Sequence, residues 1–172
     1  MRVFIYSNMK TLIIYDSVFG NTEVIANAIF NGFENKEDTR ICKPDGFTPD
    51  LLKDVDLLIV GSPTRGFRPT KPITDMFESI ESDSLKGVMA SAFDTRVKLE
   101  TIKSGALRLI VKAGGYADKT IAKLLRKKGA TIIVPSEGFF VTGNEGPLYD
   151  TEIERATQWA KDIVSKFQAE QS

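Results

Sequence analysis

The chain of 172 residues contains no histidine and only one cysteine, Cys42. Without an imidazole, Ser-His-Asp and Cys-His catalysis are excluded, and zinc sites are excluded with them. A lone cysteine cannot form an internal disulfide. The sequence also lacks a Gly-Lys-Ser/Thr after a glycine-rich loop and lacks G-x-G-x-x-G, so two common nucleotide-binding motifs are missing. We therefore predict neither a catalytic residue nor a metal site.

Long apolar runs are missing as well, since none approaches the roughly 20 residues that a membrane-spanning helix needs. The first eight residues, MRVFIYSN, are too short for a signal peptide and have no small-residue cleavage site, which favours a cytoplasmic protein. Met9 stands just before the first strongly apolar run. We expect residues 1–8 to be an extension, the alternative being an additional edge strand, and residues 9–172 to form a single domain.

Net charge is also lacking, because 23 basic residues balance 23 acidic ones. The distribution is uneven, however. Residues 96–128 contain ten basic and two acidic residues, an excess of eight, and the other residues contain 13 basic and 21 acidic ones. Such an asymmetry can steer an anionic partner. The alternative is a solvated helix whose basic residues complement its C-terminal dipole, which accounts for Arg126–Lys128.

Short apolar runs are what the sequence does contain. Runs that are apolar on both faces, as in strands buried between two helix layers, are TLIIY (11–15), DLLIVG (56–61), GVMASAF (87–93) and TIIVP (131–135), and a weaker run is TRIC (39–42). Segments with helical spacing of apolar residues alternate with them. The last of these opens with Thr151 and Glu154, the pattern of a capping box. The alternation predicts a doubly wound parallel α/β sheet.

The stretch YDSVFGNTE connects the first predicted strand directly to a helix. Free backbone N–H groups and the helix dipole favour an anion at such a turn, and Gly20 lets the backbone approach that anion. The loop contains neither Lys nor Arg, so neutral donors and the dipole alone would hold a phosphate monoester. The alternative is a capped turn in which Ser17 and Thr22 only satisfy backbone groups.

This loop resembles the phosphate loop of flavodoxins and the wider flavodoxin-like family, Ser/Thr-x-Ser/Thr-Gly-Asn-Thr, which binds the phosphate of FMN. Phe19 departs from the pattern, since it replaces a hydroxyl as in quinone-reductase relatives. The resemblance implies FMN as the cofactor and a five-stranded sheet of order 2-1-3-4-5 with helices on both faces. The contacts expected in this loop are Ser17, Val18, Phe19, Gly20, Asn21 and Thr22.

The resemblance extends to the stretch SPTRGFRPT after the third predicted strand. Phe67 is expected to stack on the flavin ring, with a core position as the alternative, and the Arg65–Gly66 peptide is expected to face the flavin N5. Arg65 and Arg68 would favour the reduced anionic flavin if they lie near it, or they face solvent. The expected contacts are Pro63, Thr64, Arg65, Gly66 and Phe67.

A third loop is predicted at AFDTRV, after the fourth strand. By the same resemblance, Asp94, Thr95 and Arg96 should line the pyrimidine edge of the flavin, while Phe93 should belong to the core. Residues 97–116 then exceed what a minimal five-stranded domain of this family needs. Their pattern predicts an amphipathic helix that ends at Gly114–Gly115. We expect a lid, a dimer contact or a surface for a redox partner.

The function predicted from these features is an FMN-binding flavodoxin-like protein that carries electrons between redox-partner proteins, because the cofactor supplies the chemistry and no acid/base pair is evident. An alternative is an FMN-dependent reductase that takes hydride from NAD(P)H and passes it to a quinone or similar acceptor, with Arg65, Arg68 or Arg96 binding an anionic group. A flavin-free interaction module is the third. Homodimerisation is a further expectation, whereas neither a nucleic-acid partner nor a membrane span is expected.

Overall fold

The computed structural model describes residues 8–172, so residues 1–7 of the predicted extension lie outside the described residues. The strands are β1 (Thr11–Tyr15), β2 (Thr39–Cys42), β3 (Leu57–Pro63), β4 (Met89–Val97), β5 (Thr131–Ile132) and β6 (Glu137–Val141). The α-helices are α1 (Asn21–Gly32), α2 (Lys71–Ser79), α3 (Gly105–Gly114), α4 (Ala117–Lys127) and α5 (Glu152–Glu170). The helix α3 confirms the amphipathic helix predicted within residues 97–116. Among the described residues, no helix is long and apolar enough to cross a membrane.

All strand pairs in the sheet are parallel, and their order is β2-β1-β3-β4-β5, with β6 also paired to β4. The predicted order 2-1-3-4-5 is therefore confirmed. The winding direction reverses between β1 and β3, whose register places Tyr15 opposite Gly61. In open α/β sheets, a crevice for ligands forms beyond the carboxyl ends of the strands at such a reversal.

The fifth strand differs from the prediction, because the run 131–135 is extended only at Thr131–Ile132. β5 pairs with Met89–Ala90, and the chain then breaks and returns to the same edge of β4 as β6. Pro135 lies in the break and has no N–H to donate to a ladder. The side chain of Ser91 reaches across instead and donates to the Val134 carbonyl at 3.2 Å.

Two hydrophobic cores pack on the two faces of the sheet, because successive strand residues point to opposite sides. α2 and α4 cover one face, where Leu12 and Val60 are fully buried. α1 and α5 cover the other, which includes Ile13 and Phe93. The predicted helices on both faces and the core position of Phe93 are confirmed. Full burial of one such side chain stabilises the fold by about 1.5–3 kcal/mol.

The start of α5 corrects the capping box expected from Thr151 and Glu154. Thr151 has helical dihedrals and makes no capping hydrogen bond with its side chain. Glu152 is buried instead and accepts a hydrogen bond from the Phe140 backbone N–H at 2.8 Å. Although burial raises the pKa of Glu152, hydrogen bonds from Arg155 and from Phe140 outweigh it and hold the pKa below its usual value. The contact between the Glu152 carboxylate and β6 therefore fixes the N-terminus of α5.

Candidate functional site

A cleft lies at the carboxyl edge of the sheet, between the loops after β1 and β3 and the end of β4. It contains nine of the predicted site residues: Val18, Phe19, Asn21, Thr22, Pro63, Thr64, Arg65, Thr95 and Arg96. Five others do not line it: Ser17, Gly20, Gly66, Phe67 and Asp94. Val97, Val141 and Asn144 line the cleft as well. Val141 and Asn144 are not predicted from the sequence, because its pattern does not reveal β6. Val141 belongs to that strand and Asn144 follows it.

The first loop ends in a helix N-terminus whose backbone groups are only partly used. Gly20 has a φ of 90°, in the left-handed region that favours glycine. Its carbonyl accepts the first bond of the helix, from Val24 N–H at 3.1 Å. The N–H groups of Asn21 and Thr22 precede that bond and so have no partner within the helix. They are donors that an anion in the cleft can use.

The polar side chains of this loop have specific partners. The Ser17 hydroxyl oxygen accepts from the N–H groups of Gly20 and Glu23, at 3.1 and 3.3 Å, which leaves its own hydrogen for another acceptor. Thr22 and Thr95 share a buried hydrogen bond of 2.8 Å. Asn21 donates to the carbonyl of Glu145 at 3.0 Å, which joins α1 to the turn after β6.

The second loop forms a tight turn with Gly66 and Phe67 at its tip. Reciprocal backbone bonds between Arg65 and Arg68, of 2.9 and 3.1 Å, close it. Phe67 has a φ of 67°, which is rare for an aromatic residue and common at functional sites. Its ring packs against Gly114 of α3, where an added Cβ would lie 2.7 Å from the Phe67 Cγ atom. Stacking of Phe67 on a flavin stays a prediction.

The guanidinium of Arg65 lies over the ring of Phe19, 5.2 Å from its centroid. The pair joins the first and second loops across the cleft, because both residues line it. Phe19 is 46% exposed, so the ring is part of the site surface and not of the core. Attraction between a cation and an aromatic face at this distance holds the guanidinium in place.

The predicted third loop is instead the end of β4, which runs on to Val97. Asp94 is fully buried there and accepts hydrogen bonds from the Thr64 hydroxyl at 2.7 Å, from Arg96 Nε at 2.6 Å and from Asp118 N–H at 3.2 Å. Burial raises the pKa of Asp94 to about 6, although Arg96 opposes the shift. Because Thr64 belongs to the second loop, its bond to Asp94 attaches that loop to the end of β4.

Arg96 is bound by two carboxylates, since its Nη2 also lies 2.8 Å from Asp118 Oδ1. The angle of that contact is not that of a hydrogen bond, so the two atoms interact as charges and keep unused hydrogen-bonding capacity. On its other side the guanidinium lies 3.9 Å from the centroid of the Tyr116 ring. We name Asp94, Arg96 and Asp118 the β4 ion cluster. Its net charge is negative when both carboxylates are ionised.

Known proteins share the sequence pattern and the fold of this chain. Residues 13–159 match the model of the family described as Flavodoxin. The flavodoxin of Maridesulfovibrio salexigens is 28% identical over 163 residues, which are 92% of this chain and 99% of that protein.

Two solved structures show the same fold. A flavodoxin from the domain Archaea is 24% identical, with a TM-score of 0.66 and coverage of 93% of this chain and 99% of that one. Flavodoxin 2 from Bacillus cereus is 21% identical, with a TM-score of 0.71 and coverage of 91% and 99%. Because the family model spans most of the chain, the protein belongs to the flavodoxin family of electron carriers, whose cofactor is FMN.

Proposed function

We propose that this chain binds FMN in the cleft and carries electrons between redox-partner proteins. The observation that carries the proposal is the helix N-terminus of α1, where the N–H groups of Asn21 and Thr22 have no backbone partner within residues 8–172 and both residues line the cleft shared by β3 and β4. We also propose that residues 9–172 form a single domain into which the segment 97–116 is inserted.

The residues of the cleft fit the parts of FMN. Next to the N-terminus of α1, the cleft is lined by hydroxyl groups. This suits a phosphate-sized group beside Thr22 and Thr95. A tricyclic ring would have to occupy the open part of the cleft, between apolar side chains such as Val18 and Val97. A ring placed there would be accessible to protein partners.

FMN, when bound, supplies one- or two-electron transfer. The chain supplies binding and orientation: backbone N–H groups and hydroxyls on the phosphate side, and a rigid second loop on the ring side. Thr64 fixes that loop, because it donates to Asp94 and accepts from the N–H of Ala117 at 2.9 Å. A fixed loop holds its backbone groups in one orientation, which suits a carrier.

The reductase alternative depends on a cation for an anionic group of the nicotinamide cofactor. Arg68 does not line the cleft, and the β4 ion cluster holds Arg96. Arg65 is the remaining candidate of the three.

The two functions separate in an anaerobic titration of the FMN-loaded protein with NADH or NADPH. For a carrier, we expect the flavin absorption to persist until a separate reductase is added. Bleaching within seconds by NADH or NADPH alone would support the reductase. A preparation that stays colourless after addition of FMN would contradict both functions.

A further inference from the structure

We infer that an acidic redox-partner protein docks on the exposed side of helix α3. The side chains that contact it are three apolar and two basic ones, which we name the α3 face: Leu107, Leu109, Ile110, Arg108 and Lys112. The inference rests on the proposed function, since it assumes that the chain exchanges electrons with another protein. It adds the location of that contact and the charge of the partner.

The ends of α3 are fixed by local contacts, whereas its side chains are not packed in a core. Ser104 caps the start of the helix, where its hydroxyl oxygen accepts a hydrogen bond from Leu107 N–H at 3.2 Å. Gly115, with a φ of 79°, ends the helix. No residue of α3 is buried. Because so short a helix is marginal in water without tertiary packing, a contact that covers it would stabilise it.

The apolar side chains of the α3 face are clustered and exposed to solvent. Leu107, Leu109 and Ile110 are 45%, 69% and 54% exposed, and they lie within one turn of the helix. A single exposed apolar side chain is normal on a protein surface, whereas a cluster of them marks a contact with another molecule. The α3 face therefore has the composition of an interface.

The position of α3 connects its exposed side to the second loop. Gly114, the last residue of the helix, packs on the Phe67 ring, since an added Cβ would lie 2.7 Å from the Phe67 Cγ atom. Leu107 and Ile110 lie on the same side of the helix as Gly114, because residues four and seven positions apart share a face. Phe67 belongs to the loop whose Arg65 lines the cleft. A protein docked on α3 therefore also lies next to the second loop.

The charge of α3 favours an acidic protein over other occupants. Arg108 and Lys112 are exposed, and residues 101–117 contain no acidic residue. Two copies of the chain paired through this face would bring like charges together, which opposes a symmetric dimer. A helix that lies on a membrane buries its apolar face along its length, whereas Phe67 already covers one end of this face. An acidic protein supplies the opposite charge and can contact the apolar side chains.

Calorimetric titration of the FMN-loaded protein with an acidic [2Fe–2S] ferredoxin tests the α3 face. The variant Leu109→Gln/Ile110→Gln removes two apolar side chains and keeps both the charges and a good helix former. We expect it to weaken the complex at least about tenfold, because the apolar area that the partner covers is lost. Ile153→Gln on α5 is the matched control, since Ile153 is 50% exposed. The control should change the affinity less than about twofold.

Two further measurements separate docking from folding and from cofactor binding. Urea unfolding should show no loss of stability in Leu109→Gln/Ile110→Gln, because both side chains are exposed. Flavin fluorescence titration of the apoprotein should give a dissociation constant for FMN within about twofold of the wild-type value. A weaker ferredoxin complex in a variant with unchanged stability and unchanged FMN affinity then places the docking surface on α3.

The inference is overturned if the wild type does not bind the ferredoxin or if the α3 variant binds it equally well. Weaker FMN binding in the variant also overturns it, since the α3 face would then cover the flavin. So does a wild-type dimer in sedimentation that the variant dissociates, or wild-type binding to phosphatidylserine vesicles that the variant loses. A wild type that binds no FMN contradicts the proposed function instead, and titration of the apoprotein with ferredoxin still tests the α3 face.

Discussion

Asp94 has a structural role that its predicted contact with the flavin does not include. Its side chain is fully buried and holds Thr64 and Arg96, and a contact of Asp94 with the flavin edge stays a prediction. A buried carboxyl whose pKa is raised to about 6 stays protonated in the folded chain at a pH where the unfolded chain, with a pKa of about 3.9, has lost the proton. The unfolded state then binds fewer protons, so the free energy of unfolding falls with rising pH.

The pH window of this effect gives a prediction for Asp94→Asn. Between about pH 4 and pH 6, the stability of the wild type should fall relative to that of the variant by up to roughly 3 kcal/mol, because the shift spans about two pKa units. Below about pH 3 and above about pH 7 the difference should be constant. Urea unfolding of both proteins at closely spaced pH values measures it. Parallel stability curves would show that Asp94 does not titrate in this window.

The buried bond between Thr22 and Thr95 gives a second prediction. Thr22→Val or Thr95→Val leaves one buried hydroxyl without its partner and should cost about 1–3 kcal/mol of unfolding free energy. The double variant removes both hydroxyls and should cost no more than either single change. Urea unfolding of the three variants gives the coupling. Simple addition of the two losses would show that the hydroxyls act separately.

At the scale of elements, β6 explains what the sequence pattern could not show. EGFFV lacks a strong strand pattern, and Gly138 resembles a turn residue. In the fold, an added Cβ at Gly138 would lie 2.3 Å from Arg96 Cζ, so the glycine makes room for a side chain from the neighbouring strand. The glycine is required by a residue 42 positions away in the sequence. The local spacing of apolar residues carries no information about such a contact.

Gly138→Ala should therefore destabilise the fold. Its methyl group must displace a guanidinium that two buried carboxylates hold, and overpacking of this kind typically costs about 1–3 kcal/mol. Gly105→Ala at the start of α3 is the matched control, since an added Cβ there meets no atom within 4 Å. The control should be neutral or slightly stabilising. Chemical denaturation compares the two, and equal stabilities would contradict the close contact at Gly138.

Elements with strong local signals were predictable and those set by distant contacts were not. The runs at β1 and β3 are apolar on both faces, so their burial follows from the pattern, whereas the order of the sheet comes from the resemblance of the first loop to flavodoxins. The first loop was recognisable because its residues are contiguous. The polar residues Asp94 and Arg96 predict a loop at the end of β4, whereas in the fold they are paired with each other and belong to the strand. The Arg65–Phe19 contact joins two loops, and no single stretch reveals it.

At the scale of the whole molecule, the charge asymmetry maps onto one region. The basic residues 96–128 cover the end of β4 and the helices α3 and α4. No residue of α3 is buried, and its Leu109 and Ile110 are 69% and 54% exposed. Basic side chains such as Arg108 lie among them. A face that combines apolar and basic side chains near the cleft suits an acidic protein partner.

This asymmetry predicts that the net charge of the protein partner is negative. The FMN-loaded protein should bind an acidic iron–sulfur protein more tightly than a basic haem protein, and added salt should weaken the complex. Arg108→Glu combined with Lys112→Glu should weaken it several-fold, whereas Lys161→Glu on α5 should change it little. Calorimetric titration at two salt concentrations measures all three. Tighter binding of the basic protein would contradict the prediction.

The second loop is fastened at two points, by Thr64 to Asp94 below and by Phe67 to Gly114 beside it. Electron exchange is slowed by every group that must rearrange when the charge of a bound cofactor changes. Dipoles already held in place do not pay that reorganisation cost. A loop held at these two points would therefore let a carrier exchange electrons quickly with partners, and loosening either contact should slow the exchange even where cofactor affinity is unchanged.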